Sequence, residues 1–182
     1  MAHALFGEPN RVLSTRAQLR YGTHARVTVA TQGRPWLRAH ASGYSLSDGR
    51  VYHESWESTR GLQGETALLT AMSAGALGLR IGESNPEAQG RRFTEQIDDV
   101  FPGTARAFTG RAARMHWPTA RFFEGSVACY GPSDWCNIAD AEATPVGRLF
   151  FAGEHTSRQF RGTMNGAVES GETCDTAIAA GM

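Results

Sequence analysis

The strongest signal lies in two stretches near the end of the chain, Gly147-Arg148-Leu149-Phe150-Phe151-Ala152-Gly153-Glu154-His155-Thr156-Ser157 and Gly162-Thr163-Met164-Asn165-Gly166-Ala167-Val168-Glu169-Ser170-Gly171. The first predicts an apolar strand over residues 149–152 that ends at a glycine and an acidic residue. The second predicts a helix over about 163–179, with Met164, Ala167, Val168, Gly171 and Ile178 on its packed side. A strand-to-helix corner of this kind lets the backbone approach a large planar or phosphorylated ligand.

The composition is typical of a globular protein with no excess of positive or negative charge. Its 182 residues are 41% hydrophobic and 20% charged, with a formal net charge of +0. One ordinary core fits this length, and the balanced charge predicts neither a nucleic-acid nor an anionic-membrane partner. Because there is no bilayer-length apolar run and no signal-peptide pattern, we expect a cytoplasmic protein.

Two residue types limit the chemistry. All 18 basic residues are arginines, so a lysine Schiff base, and with it pyridoxal-phosphate or aldolase-type catalysis, is excluded. The three cysteines, Cys129, Cys136 and Cys174, have no CxxC spacing. The sequence therefore predicts neither a disulfide framework nor a metal site, and the cysteines are interpreted as small buried residues.

The rest of the chain alternates between strand and helix signals. Alternating residues predict strands at 24–30 and 111–116, strand signals recur within 43–58, and 125–130 is a strand or a buried turn. The stretch 67–74 is ambiguous, because its composition suits a helix and its flanking glycines suit a buried strand. A short helix is expected at 11–19. A second helix should begin at Ser84-Asn85-Pro86-Glu87 and present Phe93, Ile97 and Val100 on one face.

Seven short segments occur in the order found in one enzyme family: Tyr21-Gly22-Thr23-His24-Ala25-Arg26, Arg34-Pro35-Trp36, Ser55-Trp56-Glu57, Phe101-Pro102-Gly103, Arg114-Met115-His116-Trp117-Pro118, Ala128-Cys129-Tyr130-Gly131-Pro132 and Phe151-Ala152-Gly153-Glu154-His155. With them, most of the chain resembles the C-terminal part of the FAD-dependent amine oxidases (monoamine, polyamine and L-amino-acid oxidases). The resemblance implies an α+β fold. Residues 1–145 would form a substrate domain with a mixed sheet flanked by helices, and 146–182 the last strand and helix of the FAD-binding domain.

The same resemblance implies an activity. Hydride would pass from the amine-bearing carbon of an amine or amino acid to flavin N5, the imine would hydrolyse, and dioxygen would reoxidise the flavin to yield hydrogen peroxide. The residues expected at FAD are Trp117, Gly153, Glu154, Gly162, Thr163, Met164 and Asn165. Among them, the helix start at 163–165 would stabilise negative charge on the reduced ring, and Glu154 would bond the ribityl or pyrophosphate part.

Three positions depart from the family pattern. Arg26 stands where most members carry a lysine beside flavin N5, so we name it as the catalytic candidate while leaving reoxidation by dioxygen open. Val127 and Thr163 occupy the positions of the two substrate-facing tyrosines of monoamine oxidases, with Tyr130 nearby, and these three residues form the expected substrate pocket. Ser126 replaces the cysteine that binds flavin covalently, so the FAD is expected to be non-covalent.

No GxGxxG fingerprint precedes these segments, so the chain resembles a truncated enzyme. We expect activity only with an N-terminal FAD-binding partner, either a separate chain or the missing part of its own, and self-association stays open. The alternative is a non-catalytic remnant or binding module that keeps the fold. Arg26, Val127 and Thr163 favour this alternative, and the Phe-Ala-Gly-Glu-His and Met-Asn-Gly segments favour the enzyme.

Overall fold

The computed structural model describes residues 18–48 and 50–181. The helix predicted at 11–19 and Gly49 of a predicted turn lie outside them, apart from the last two residues of that helix. The described residues divide into two compact units. We call residues 23–126 the sheet unit and residues 18–22 with 127–181 the terminal unit.

Strands and helices alternate along the described residues. The strands are β1 (Arg20–Tyr21), β2 (Ala25–Gln32), β3 (Ser45–Leu46), β4 (Glu54–Glu57), β5 (Thr66–Ser73), β6 (Phe108–His116) and β7 (Ala128–Cys129). The α-helices are α1 (Pro35–Arg38), α2 (Gly75–Ile81), α3 (Pro86–Ile97), α4 (Thr104–Ala107), α5 (Asp134–Ile138) and α6 (Met164–Ala179). Single 3₁₀ turns occur at Trp117–Thr119, Ala141–Ala143 and Glu154–Thr156.

A five-stranded sheet forms the sheet unit, in the order β3-β4-β5-β2-β6, and all its pairings are antiparallel. The predicted strand at 24–30 is confirmed as β2, which lies between β5 and β6. The ambiguous stretch at 67–74 is the strand β5. Its backbone pairs on both sides, with β2 and β4, and this pairing outweighs the helix propensity of its alanines and leucines.

One face of the sheet carries the core, against which α3 packs. Asn85 caps α3 by accepting the Ala88 N–H at 2.7 Å, and Pro86 occupies the first turn, as predicted. Phe93 and Ile97 are buried. Val100 is exposed because α3 ends at Ile97. The buried apolar side chains of this core are Ala25, Val27, Val29, Trp36, Tyr52, Ala67, Leu69, Ala71, Ile81, Phe93, Ile97 and Phe101.

The terminal unit has a thin core. Among its described residues, Ile138 is the one buried hydrophobic side chain, while Glu142, Ser157 and Ser170 are buried polar ones. In it, β1 pairs with β7, and α6 confirms the helix predicted at 163–179. The predicted strand at 149–152 is wrong: a single bridge joins Val146 to Leu149, and an extended segment needs a neighbouring strand to become part of a sheet.

The packed side of α6 was also predicted incorrectly. Gly166 and Ser170 are buried, whereas Met164, Val168 and Ile178 are exposed. The helix contacts the preceding loop through its small residues, since the Ser170 hydroxyl accepts the Gly153 N–H at 2.8 Å. The prediction of an α+β fold with helices against a sheet is nevertheless confirmed.

Candidate functional site

Arg26 lies between two tryptophans on the outer face of the sheet. Its guanidinium carbon is 5.4 Å from the centre of the Trp56 ring and 5.3 Å from that of Trp117. Both distances are within the range of cation–π attraction. No carboxylate among the described residues pairs with Arg26, so indole faces are what hold this exposed cation.

Trp56 also belongs to this cluster, although sequence analysis named it only within a family segment and did not assign it to the site. It lies on β4 opposite Thr70 of β5, and Thr70 lies opposite Thr28 of β2. Directly paired residues point to the same face of a sheet, and Thr28 shares a face with Arg26. The pairing of β4 with β5 and of β5 with β2 therefore places the Trp56 indole on the same face as Arg26. The sequence contained a strand signal at Trp56 but nothing that specified these registers.

Polarisable and hydroxylated side chains surround Arg26. Met72 of β5 and Met115 of β6 lie directly opposite it in the two neighbouring strands. Two residues further along β2, on the same face of the sheet, the Thr28 hydroxyl lies 2.8 Å from the Thr70 hydroxyl. This partly exposed surface can pack against an apolar ligand while presenting one permanent positive charge to it.

The start of α6 offers open hydrogen-bond donors. Thr163 is the N-cap: its hydroxyl accepts the Gly166 N–H at 3.1 Å and donates to the Phe160 carbonyl at 2.6 Å. The N–H groups of Met164 and Asn165 have no acceptor among the described residues. A helix start with two open donors and the positive end of its dipole favours an anionic or carbonyl oxygen.

Glu154 holds two backbone segments together. One carboxylate oxygen accepts the Ala128 N–H at 2.8 Å, and the other accepts the Gly162 N–H at 2.7 Å. It thereby connects β7 to the turn that precedes α6. Next to it, Gly153 has φ +153°, and a Cβ there would lie 2.6 Å from the His155 ring.

Tyr130 belongs to a hydrogen-bonded cluster with Glu142 and Arg161, two residues that sequence analysis missed. The Tyr130 hydroxyl donates to Glu142 and accepts from Arg161, and Arg161 pairs with Glu142 at 3.0 Å. The Arg161 guanidinium carbon lies 5.0 Å from the ring centres of Tyr130 and Trp135. Burial, reinforced by the Glu142 carboxylate, raises the pKa of Tyr130, so its phenol is neutral.

The other predicted pocket residues have internal contacts. The Val127 carbonyl accepts the Gly22 N–H at 2.8 Å, and the Thr163 hydroxyl is occupied in capping α6. In the sheet unit, the Ser126 hydroxyl lies 2.8 Å from Nδ1 of His24. The structure thus brings Arg26 together with Trp117 in one unit, and Glu154 together with Gly162 in the other.

Residues 18–48 and 50–181 contain neither a metal-binding cluster nor a membrane-spanning helix. That part of the chain has no group of three or more His, Cys, Asp or Glu side chains arranged to bind a metal. None of its helices combines the length and the hydropathy needed to cross a membrane. Cys129 and Cys136 are exposed, so the prediction that these two are buried is wrong.

Comparison with known proteins places the chain in a family. Residues 4–178 match the family model described as flavin containing amine oxidoreductase. Polyamine oxidase 3 of Oryza sativa subsp. japonica is 31% identical over 104 residues, which are 57% of this chain and 21% of that protein. Nicotine dehydrogenase of Pseudomonas putida is 35% identical over 78 residues, 43% of this chain and 15% of that protein.

A solved structure shares the fold. Cyclohexylamine oxidase from Brevibacterium oxydans IH-35A superposes with a TM-score of 0.80 at 24% identity, covering 92% of this chain and 38% of that one. The chain therefore spans well under half the length of the proteins it matches. With nearly its whole length inside the family model, the chain belongs to the flavin-containing amine oxidoreductase family.

Proposed function

We propose that this chain is the substrate-side part of a flavin-dependent oxidoreductase that oxidises the C–N bond of an amine or L-amino acid. The observation that carries the proposal is the start of α6. There, the Met164 and Asn165 N–H groups are open within the segment that matches the family.

The described residues fit a non-covalent FAD. When bound, the flavin supplies a hydride acceptor that gains negative charge as the substrate carbon is oxidised. The α6 N–H groups stabilise such charge through hydrogen bonds and the helix dipole. Ser126 supplies no thiol for a covalent bond to the cofactor.

Glu154 has a different role in this proposal from the one first expected. Both of its oxygens accept backbone N–H groups, so it shapes the turn that ends at Thr163. Each oxygen keeps one further lone pair for a hydroxyl of the cofactor. Glu154 is thus primarily a positioning residue for the start of α6.

An FAD-binding partner completes the proposal, whether it is a separate chain or the rest of a longer protein. Met164, Val168 and Ile178 give α6 an exposed apolar face, with relative exposures of 88%, 62% and 55%. The terminal unit that carries this helix has little core of its own. An apolar helix face on a poorly packed unit is stabilised when another protein surface covers it.

The substrate class follows from the family and its named relatives, which include a polyamine oxidase and a nicotine dehydrogenase. Valine and threonine at the pocket positions 127 and 163 favour an amine or amino acid that needs no tyrosine pair. Arg26 in place of lysine, together with a relative named as a dehydrogenase, favours an electron acceptor other than dioxygen.

Flavin retention tests the proposal. The chain would be co-expressed with an FAD-binding unit of the same family and passed through gel filtration, and the flavin absorbance of the complex would be recorded. We expect flavin to co-elute with the complex and to be bleached by an amine under anaerobic conditions.

Met164→Pro tests the role of the helix start. Proline suits the first helical position, and Thr163 already has the extended backbone that proline requires before it. Both Met164→Pro and Met164→Ala lose the methionine side chain, and only the alanine variant keeps the N–H. We therefore expect Met164→Pro to bind flavin about tenfold more weakly than Met164→Ala. Equal flavin affinity of the two variants would show that the Met164 N–H does not contribute to flavin binding.

The non-catalytic alternative predicts a different result. It is favoured by Arg26 and by the Glu154 carboxylate, which is already used by the backbone. If the complex forms but neither retains flavin nor responds to amines, the chain keeps the family fold without its chemistry.

A further inference from the structure

A basic cavity lies at the end of the sheet unit where β2 runs into α1. It has a volume of about 710 Å³, within the range of small-molecule sites. Its charged lining consists of Arg34, Arg38 and Arg106, and no acidic residue lines it. In a chain with 18 basic and 18 acidic residues, this is a local separation of charge.

Two of the three arginine side chains are free to bind a ligand. Arg38 ends α1 and Arg106 lies in α4, and both are exposed. Neither makes a hydrogen bond or an ion pair with another described residue. Their guanidinium groups are therefore available to an external anion without breaking an internal contact.

The third arginine is held in place as part of the cavity wall. Arg34 donates to Glu57 at 2.6 Å and to the carbonyls of Gly64 and Leu62 at 2.9 and 3.1 Å. These bonds use three of its five N–H groups and leave two. Its side chain is mostly buried, with 18% exposed, so its position is set before a ligand binds.

The cavity is separate from the candidate active site. Gln32, which also lines it, and Arg26 lie at opposite ends of β2. Six residues of extended strand span roughly 20 Å. An anion in the cavity would therefore not contact the Arg26 cluster.

We propose that this cavity binds a small multiply charged anion through phosphate oxygens. Guanidinium forks match phosphate geometry and donate paired hydrogen bonds to it. Three such groups suit a ligand with more than one charged group, and the exposed Leu37 side chain provides an apolar contact for an organic part. A nucleotide and inorganic pyrophosphate share this chemistry.

Calorimetric titration of the 182-residue chain with inorganic pyrophosphate at about 0.15 M ionic strength tests the proposal. We expect one saturable site, which Arg38→Gln with Arg106→Gln weakens at least about tenfold. ADP distinguishes the sources: tighter binding of ADP than of pyrophosphate would assign the site to a nucleotide, and equal binding would assign it to the phosphate groups alone.

The matched control is Arg92→Gln with Arg111→Gln, which removes two exposed charges outside the cavity lining. We expect it to leave binding within about twofold of the original, because neither side chain lines the cavity and charges outside it are screened by salt. Circular dichroism verifies the fold of both double variants. Absence of saturable binding to the unaltered chain, or an equal loss in the control, would overturn the proposal. Because no flavin is involved, this result is independent of the proposed enzymatic function.

Discussion

The Glu57 carboxylate holds the side chains of Arg34 and Trp36 in place. Its carboxylate, 5% exposed, accepts from Arg34 Nε at 2.6 Å and from Trp36 Nε1 at 2.8 Å. Burial works against ionisation, but hydrogen bonds from Arg34, Trp36 and Thr59 outweigh it and lower the pKa of Glu57. One buried charge therefore positions both a cavity wall and a core tryptophan.

Glu57→Gln should destabilise the chain by about 2 kcal/mol, because it leaves the mostly buried Arg34 without its counter-charge. Chemical unfolding at neutral pH, monitored by tryptophan fluorescence, measures this loss. Glu95→Gln, at an exposed position of α3, should change stability by less than about 0.5 kcal/mol. A similar loss in both variants would contradict the role assigned to Glu57.

The lowered pKa of Glu57 also predicts a pH dependence. Its ionised form stabilises the folded state fully above the ordinary pKa of a glutamate, and this contribution is lost as pH falls through the lowered folded-state value. The stability difference between the original chain and Glu57→Gln should therefore shrink on acidification. Unfolding curves recorded from neutral pH to the acid range provide the measurement, and a constant difference would refute the assignment.

At the level of single elements, α6 depends on close contacts by small residues. Gly166 packs so tightly on the preceding loop that a Cβ there would clash with the Phe160 carbonyl oxygen. Gly171 lies on the same helix with nothing within 4 Å of the corresponding position. The two glycines are thus matched for conformation and differ in surroundings.

Gly166→Ala should destabilise the terminal unit, because the obstructing atom belongs to the backbone and cannot rotate away. Gly171→Ala should stabilise α6 by up to about 1 kcal/mol through helix propensity. Thermal unfolding, monitored by far-ultraviolet circular dichroism, compares the two variants. Equal shifts in the same direction would show that the contact with Phe160 carries no energy.

Taken as a whole, the chain distributes its stability unevenly. The large apolar cluster is confined to the sheet unit, whereas the terminal unit buries one apolar side chain among its described residues. Local opening is easiest where few apolar contacts are lost. The element proposed to contact flavin therefore lies in the less stable unit.

Native-state hydrogen exchange should show this difference. Amides in the middle of β2 and β5 should exchange at least about tenfold more slowly than those in the middle of α6. Addition of the FAD-binding partner should slow exchange in α6 and leave β2 nearly unchanged. Equal protection of α6 and β2 in the chain alone would contradict the unequal distribution.

Local sequence patterns were sufficient to predict several secondary-structure elements and the family. The period-two pattern at β2 and the Asn85-Pro86 signal at α3 were correct, because strand alternation and helix capping depend on neighbouring residues. The seven segments in family order were also enough for the assignment, since their order along the chain does not depend on any contact.

Other features depended on contacts between distant residues. The stretch 67–74 became a strand only because β2 and β4 flank it, and Trp56 reached Arg26 only through two strand registers. The cluster of Tyr130, Glu142 and Arg161 joins side chains up to 31 positions apart. Burial and long-range pairing are collective properties of the folded chain, so composition and spacing could not specify them.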